Sequence, residues 1–341
     1  MLAEMRQVHV TERPVAASVD ELLARATDRR PFLHSDSKSG VGFERVTIDG
    51  APYVLKHIHI DDDWTMRFFH ERTCIPLEVW RTGLMDAAPE HIDHGMVGAA
   101  GGVGRDGLGA TLLMHDLSPS LVPAGDDPLP LSTHVQLLEG MAALSAATWN
   151  WPGHDSLLPL ANRWLAFGDA DIDAERRLGW PNPVPKIAHE GWMRFFERAP
   201  AAIQTLIRAL RADTTPLVEA VATTPLCFLH GDWKLGNLGV REDGRVVLLD
   251  WTYCGRGPIC SELGWYLALN AARLPHSKED TIATLRGALE RSGVATDTWW
   301  DRQLSLCLLG TLVLFGWEKA LGSDEELAWW CDWAHEGALQ L

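Results

Sequence analysis

Apolar and polar positions change their spacing along the chain. In the first third they form short strand-like runs broken by turns. FERVTIDGAPYVLKHIHI places Asp49-Gly50 between two β-rich runs, the pattern of a hairpin, and puts Lys56 on its second strand. An amphipathic pattern follows from Asp62 to Met85, in which Pro76 is expected to kink or divide a helix. Ala110 to Met114 reads as another strand, ending at His115-Asp116. The next segment, SPSLVPAGDDPLPLS, is rich in Pro, Ser, Gly and Asp and marks a lobe boundary.

From Thr133 to Trp149 the spacing becomes helical, and most of the remainder keeps it. The exceptions are two apolar strands flanking HGDWKLGN, His230 to Asn237. The pattern predicts an α+β chain with a small strand-rich lobe, 1–115, and a larger helical lobe, 116–341. Leu304 to Trp317 is the longest apolar stretch; it is short for a bilayer span and reads as a buried helix. Tryptophans gather late in the chain, most of them as packing residues.

With 341 residues, 46% of them hydrophobic, the chain can bury one large core or two modest ones. The formal charge of −16 disfavours nucleic acid or an anionic membrane as partner and is compatible with a cationic ligand. The six cysteines form no C-x-x-C pair and several sit in apolar runs, which points to a reducing, cytoplasmic setting. The N-terminal MLAEMRQVHVTERP has no apolar signal core.

Chemistry enters with three residues. Asp232 and Asn237 lie on a loop after one strand, and Asp250 ends the next, so a hairpin-like return brings all three to one edge. Magnesium takes oxygen ligands and often only one or two from protein, which suits Asn237 and Asp250. Phosphoryl transfer needs mainly positioning, a metal clamp and an aspartate to accept the attacking hydroxyl's proton, which suits Asp232.

HGDWKLGN resembles the catalytic loop of the aminoglycoside phosphotransferase and choline kinase family, relatives of the protein kinases, and LLDW resembles that family's metal-binding strand end. The resemblance implies a bilobal protein-kinase-like fold and an ATP- and Mg2+-dependent kinase acting on a hydroxyl of a small molecule: an aminoglycoside, another antibiotic, a sugar or an amino alcohol. It implies Asp232 as catalytic base, Asn237 and Asp250 as magnesium ligands, and Lys56 as the lysine on the nucleotide phosphates. It also makes TLLMHDL similar to the family's hinge, with backbone groups from Met114 through His115 to Asp116 at the adenine. Two positions depart from the family pattern: Thr252 stands where an acidic residue is frequent, and Glu262 where an aspartate precedes a leucine. A nucleotide-binding scaffold with little turnover is the competing reading, and retention of all three catalytic-loop and metal positions argues against it.

Glu71 and Glu78 are both expected on one face of one helix as partners for Lys56; Glu71 is favoured because its spacing resembles that of small-molecule kinases. SDSKSGVGF, Ser35 to Phe43, stands where a phosphate-covering loop would lie. The pairs His57/His59 and His91/His94 have no third ligand at suitable spacing and read as strand or surface histidines. Asp61-Asp62-Asp63 reads as a helix N-terminus. For the acceptor, Trp329, Asp332, Trp333 and Glu336 share one helical face that suits a cation, although tryptophans packing the lobe beneath solvent-facing carboxylates explain the same pattern.

Overall fold

A computed structural model describes residues 11–32, 42–102 and 107–341. The stretch from Ser35 to Val41, most of the expected phosphate-covering loop, lies outside the described residues.

The Asp49-Gly50 hairpin forms. Both residues have positive φ, 50° and 80°, the geometry that lets a two-residue turn follow the twist of its strands. It joins β2 (Gly42–Ile48) to β3 (Ala51–His59) within a five-stranded antiparallel sheet that also holds β1 (Ala26–Phe32), β5 (Met96–Gly101) and β6 (Gly109–His115), in the order β1-β2-β3-β6-β5. Side chains alternate along β3. Leu55 joins Leu23, Val46 and Leu113 beneath the short helix α1 (Val19–Leu22), whereas Val54 and Ile58 join the main core. Lys56 shares their parity, so its ammonium is carried to the side facing the rest of the molecule.

The amphipathic segment after β3 is two helices, α2 (Trp64–Phe68) and α3 (Ile75–Arg81). Pro76 starts the second one, at a position where its missing N–H breaks no helical hydrogen bond. Glu71 therefore sits in the connection and Glu78 on α3. They do not share a helix as expected, because the chain leaves α2 through a left-handed His70 (φ 50°), just before Glu71, and becomes helical again only at Ile75. α3 packs between β5, β6 and the turn at Trp251–Tyr253.

Beyond the segment at 118–130 the chain is mostly helical: α4 (Leu131–Ala147), α5 (Leu160–Leu165), α6 (Asp169–Arg177), α7 (Pro183–Arg198), α8 (Ala201–Ala212), α9 (Thr215–Ala222), α10 (Ile259–Asn270), α11 (Lys278–Arg291), α12 (Trp300–Lys319) and α13 (Asp324–Ala338). The apolar run expected to be a buried helix is α12, enclosed by α5, α7, α10 and α13. No helix among the described residues is long and apolar enough to cross a membrane. All six cysteines are buried and unpaired.

Between α9 and α10 lie four short strands: β7 (Cys227–Leu229), β8 (Leu238–Val240), β9 (Val246–Leu248) and β10 (Gly255–Gly257). β8 and β9 form a hairpin extended by the early β4 (Ile92–Asp93), which runs parallel to β9. β7 pairs with β10 instead, so the two strands that present the functional loops belong to different sheets.

Candidate active site

Wholly buried β7 delivers His230, whose ring lies edge-on to Trp251 and Trp233 at 5.0 and 6.0 Å. Burial pushes its pKa down to about 3, so the imidazole is neutral, and Nδ1 accepts the Asp232 backbone N–H at 3.2 Å. Gly231 follows with φ 88°, and a Cβ there would collide with the Arg163 guanidinium and the Tyr253 carbonyl, so no other residue fits. Its N–H donates to Glu262 Oε1 at 2.8 Å, while Arg163 donates to the carbonyls of Gly231 and Tyr253. At the far end of the loop Asn270 accepts from Leu235 N and donates to the Trp233 carbonyl. The end of α10 thus fixes the backbone that carries Asp232.

Asp232 is 1% exposed. Oδ1 accepts the Trp265 indole N–H at 3.0 Å; Oδ2 accepts Asn237 Nδ2 at 2.8 Å and Lys234 Nζ at 3.1 Å. Burial raises its pKa, and the Lys234 charge acts in the other direction. Because Asn237 donates through Nδ2 to both Asp232 Oδ2 and its backbone carbonyl, its Oδ1 points elsewhere.

The β8–β9 hairpin returns the chain, and Leu249 N donates to the Asn237 carbonyl at 2.9 Å, tying the two loops together. Asp250 stands next in the left-handed region, φ 65° and ψ 70°. Its Oδ1 accepts from Lys56 Nζ at 2.6 Å and from the Thr252 hydroxyl. Burial opposes its charge, but Lys56 and Lys234 outweigh that and hold its pKa well below the usual carboxylate range. No described residue donates to Asp250 Oδ2 or Asn237 Oδ1. Two hard oxygens are therefore left free, which fits a magnesium ion that keeps most of its shell for phosphate and water.

The structure thus brings Lys56, Asp232, Asn237 and Asp250 together. It treats the other expected residues differently. Lys56 makes its ion pair with Asp250 and has none with Glu71 or Glu78. Glu71 is buried; one of its oxygens faces Ile75 N at 3.4 Å and the other has no hydrogen-bond partner among the described residues. Burial, then the nearby Asp63, raises its pKa. Glu78 pairs with Arg81 on its own helix at 2.6 Å. Asp63 caps α2 through Thr65, as the helix-start reading of the acidic run expects. Met114 is buried in β6, the His115 N–H is bonded to the Gly95 carbonyl at 2.8 Å, and Asp116 accepts from Ser118.

Asp332 and Glu336 do face solvent together on α13, with Trp329 and Trp333 beside them. They do not join the Asp232 group. Gly337, next to Glu336, lies against Ser305 and Leu309, whereas the Asp232 group reaches α12 where Trp265 packs on Phe315, roughly 10 to 15 Å further along at 1.5 Å per residue. Trp329 is committed to α11, donating to Glu279 and lying under Lys278.

Sequence reasoning missed Lys234, Trp265 and the anchoring part played by Glu262. Lys234 lies inside the HGDWKLGN motif, and its basic side chain two residues from an aspartate was the available signal. Trp265 had none, lying in a helix buried on nearly every face.

A carboxylate beside a hydrogen-bonded amide, a second carboxylate at a strand end and a lysine from a separate sheet form the kind of centre that phosphoryl transfer uses. Residues 98–296 match the model of the phosphotransferase enzyme family, and the chain belongs to that family. No curated protein sequence matches it. Among solved structures it is similar to the choline kinase LicA from Streptococcus pneumoniae, with 10% identity, 95% of this chain and 98% of that one covered, and a TM-score of 0.50. It is also similar to a microcompartment-associated aminopropanol kinase (13% identity, 91% and 90% covered, TM-score 0.48). A third similar structure is the aminoglycoside phosphotransferase APH(4)-Ia with ADP and hygromycin B (12% identity, 94% and 97% covered, TM-score 0.45). At these identities the likeness to the choline kinase concerns the fold, which is protein-kinase-like: a small sheet-bearing part followed by a large helical one.

Proposed function

We propose that this protein transfers the γ-phosphoryl group of ATP to a hydroxyl of a small molecule. The observation that carries the reading is the convergence of Asp232, Asn237, Asp250 and Lys56, which leaves two oxygens free beside a buried carboxylate.

Asp232 is assigned as general base. As the acceptor oxygen bonds to the γ-phosphorus and the bond to the ADP oxygen breaks, the hydroxyl proton passes to the Asp232 carboxylate. Burial strengthens that carboxylate's hold on a proton. Asn237 Oδ1 and Asp250 Oδ2 would hold magnesium, which when bound neutralises charge on the phosphates. Lys56 is assigned to the phosphates, and Glu71, with a free buried oxygen, to orienting Lys56. Lys234 lies beside both carboxylates, where its ammonium is suited to meet charge developing on the transferred group.

We divide the chain into a nucleotide-binding lobe, 1–115, and a helical lobe, 116–341, with adenine against the strand end at Met114, His115 and Asp116. The acceptor is a hydroxylated small molecule of the antibiotic, sugar or amino-alcohol kind. The buried, unpaired cysteines fit a cytoplasmic setting. A panel of such compounds, each incubated with ATP and magnesium, tests the reading. Magnesium-dependent ADP release accompanied by a phosphorylated compound is the expected result; nucleotide binding with no phosphorylated product from any member would favour a scaffold.

A further inference from the structure

Asp232 is held from two directions. Its Oδ2 takes Asn237 and Lys234, both from its own loop, at 2.8 and 3.1 Å. Its Oδ1 takes one donor among the described residues, the indole N–H of Trp265 at 3.0 Å, and that donor comes from α10. The indole is itself fixed. It is 5% exposed and packs against Phe315 at 5.0 Å and Tyr253 at 5.6 Å. The Arg163 guanidinium lies 5.6 Å from its ring and is bonded to the carbonyls of Gly231 and Tyr253.

We propose that Trp265 is a positioning residue for phosphoryl transfer, its indole N–H setting the direction in which Asp232 presents its carboxylate to the acceptor hydroxyl. The inference rests on the reading of Asp232 as base. A carboxylate turns easily about its last torsion, and donors from the loop alone act on a single oxygen. The donor on the second oxygen stops that turn and registers the loop against the helical part of the fold. Small errors in the placement of a reacting group cost turnover without costing ligand affinity. Trp265 therefore acts on transfer and leaves nucleotide binding alone.

Three measurements test this. In the 15N spectrum of the ligand-free protein, the Trp265 indole resonance, identified by its loss in Trp265→Phe, should move further in Asp232→Asn than the other indoles do. With Mg-ATP and water as acceptor, Trp265→Phe should lower kcat about 10- to 100-fold while the Kd for Mg-AMP-PNP changes by no more than about twofold. Added to Asp232→Asn, the same substitution should cause no further loss, because the group it positions is already disabled. Should Trp265→Phe fold poorly, the benzothienyl isostere of tryptophan, with sulfur in place of N–H, keeps the shape and should give the same drop. An unmoved resonance, unchanged kcat, a Kd that rises as far as kcat falls, or an additive loss in the double variant would each overturn the inference. Full activity in Asp232→Asn sinks the base assignment itself; an inactive Asp232→Asn beside a fully active Trp265→Phe sinks the Trp265 role alone.

Discussion

Asp232 and Asp250 are carboxylates on neighbouring loops, joined by the backbone bond from Leu249 to Asn237, and yet their surroundings push them in opposite directions. Burial raises the pKa of Asp232; the half-exposed Lys234 acts against that but does not cancel it. Burial pushes Asp250 in the same direction and loses, because Lys56 bonds it directly, Lys234 adds its charge and Thr252 donates to the same oxygen. That difference supports the proposed assignment of one carboxylate to receive a proton and the other to stay charged against a cation. Residue type does not decide the role; the donors that neighbouring elements supply do.

The contrast breaks most sharply at Asp250. Asp250→Ala removes a proposed metal oxygen and leaves the buried Lys56 without its ion-pair partner, so magnesium-dependent affinity for AMP-PNP should fall by about 100-fold or more. Calorimetric titration with and without magnesium checks this, and equal affinities in wild type and variant would remove Asp250 from the metal site. Lys234→Met, on the Asp232 side, should lower kcat about 10- to 100-fold with a smaller change in KM for ATP. A KM that rises while kcat holds would instead assign Lys234 to nucleotide binding.

A smaller effect separates the anchor of the catalytic loop from its chemistry. Burial pushes the Glu262 pKa up to about 7, with Arg163 acting against the shift. Its folded value lies above its unfolded one, so the folded state binds an extra proton between them. The stability that proton contributes is present in acid and lost as pH rises toward 7. Glu262→Gln keeps an oxygen for Gly231 N and carries no charge. The melting temperature of wild type minus that of the variant should therefore decline as pH rises from about 5 to about 8, and then level off. Parallel melting curves across that range would show that Glu262 is not protonated in the folded protein.

How far the site was legible in the sequence follows from how each part is held. Asp232, Asn237 and Asp250 come from two contiguous segments at strand ends, which short-range patterns pick out; Lys56 came from the family resemblance, and the alternation of β3 accounts for the face it takes. Glu71 and Glu78 depended on where α3 begins. An amphipathic pattern does not distinguish one divided helix from two short ones joined through His70. Trp265 and Glu262 act from α10, which is apolar on nearly all sides, so periodicity singles out neither. The shared face of Asp332 and Glu336 was correctly read; the direction of that face is set by how α13 packs on α12, which is a tertiary fact.

The proposed chemistry turns on Asp232 taking the proton of an acceptor hydroxyl while other groups hold the nucleotide. Transfer of the labelled terminal phosphate of ATP to an organic hydroxyl, compared between wild type and Asp232→Asn with Mg-AMP-PNP binding measured on the same samples, tests it most directly. The wild type should yield a phosphate ester, the variant should do so about 100- to 10,000-fold more slowly, and both should bind the nucleotide with similar affinity. Equal transfer rates in the two proteins would contradict it.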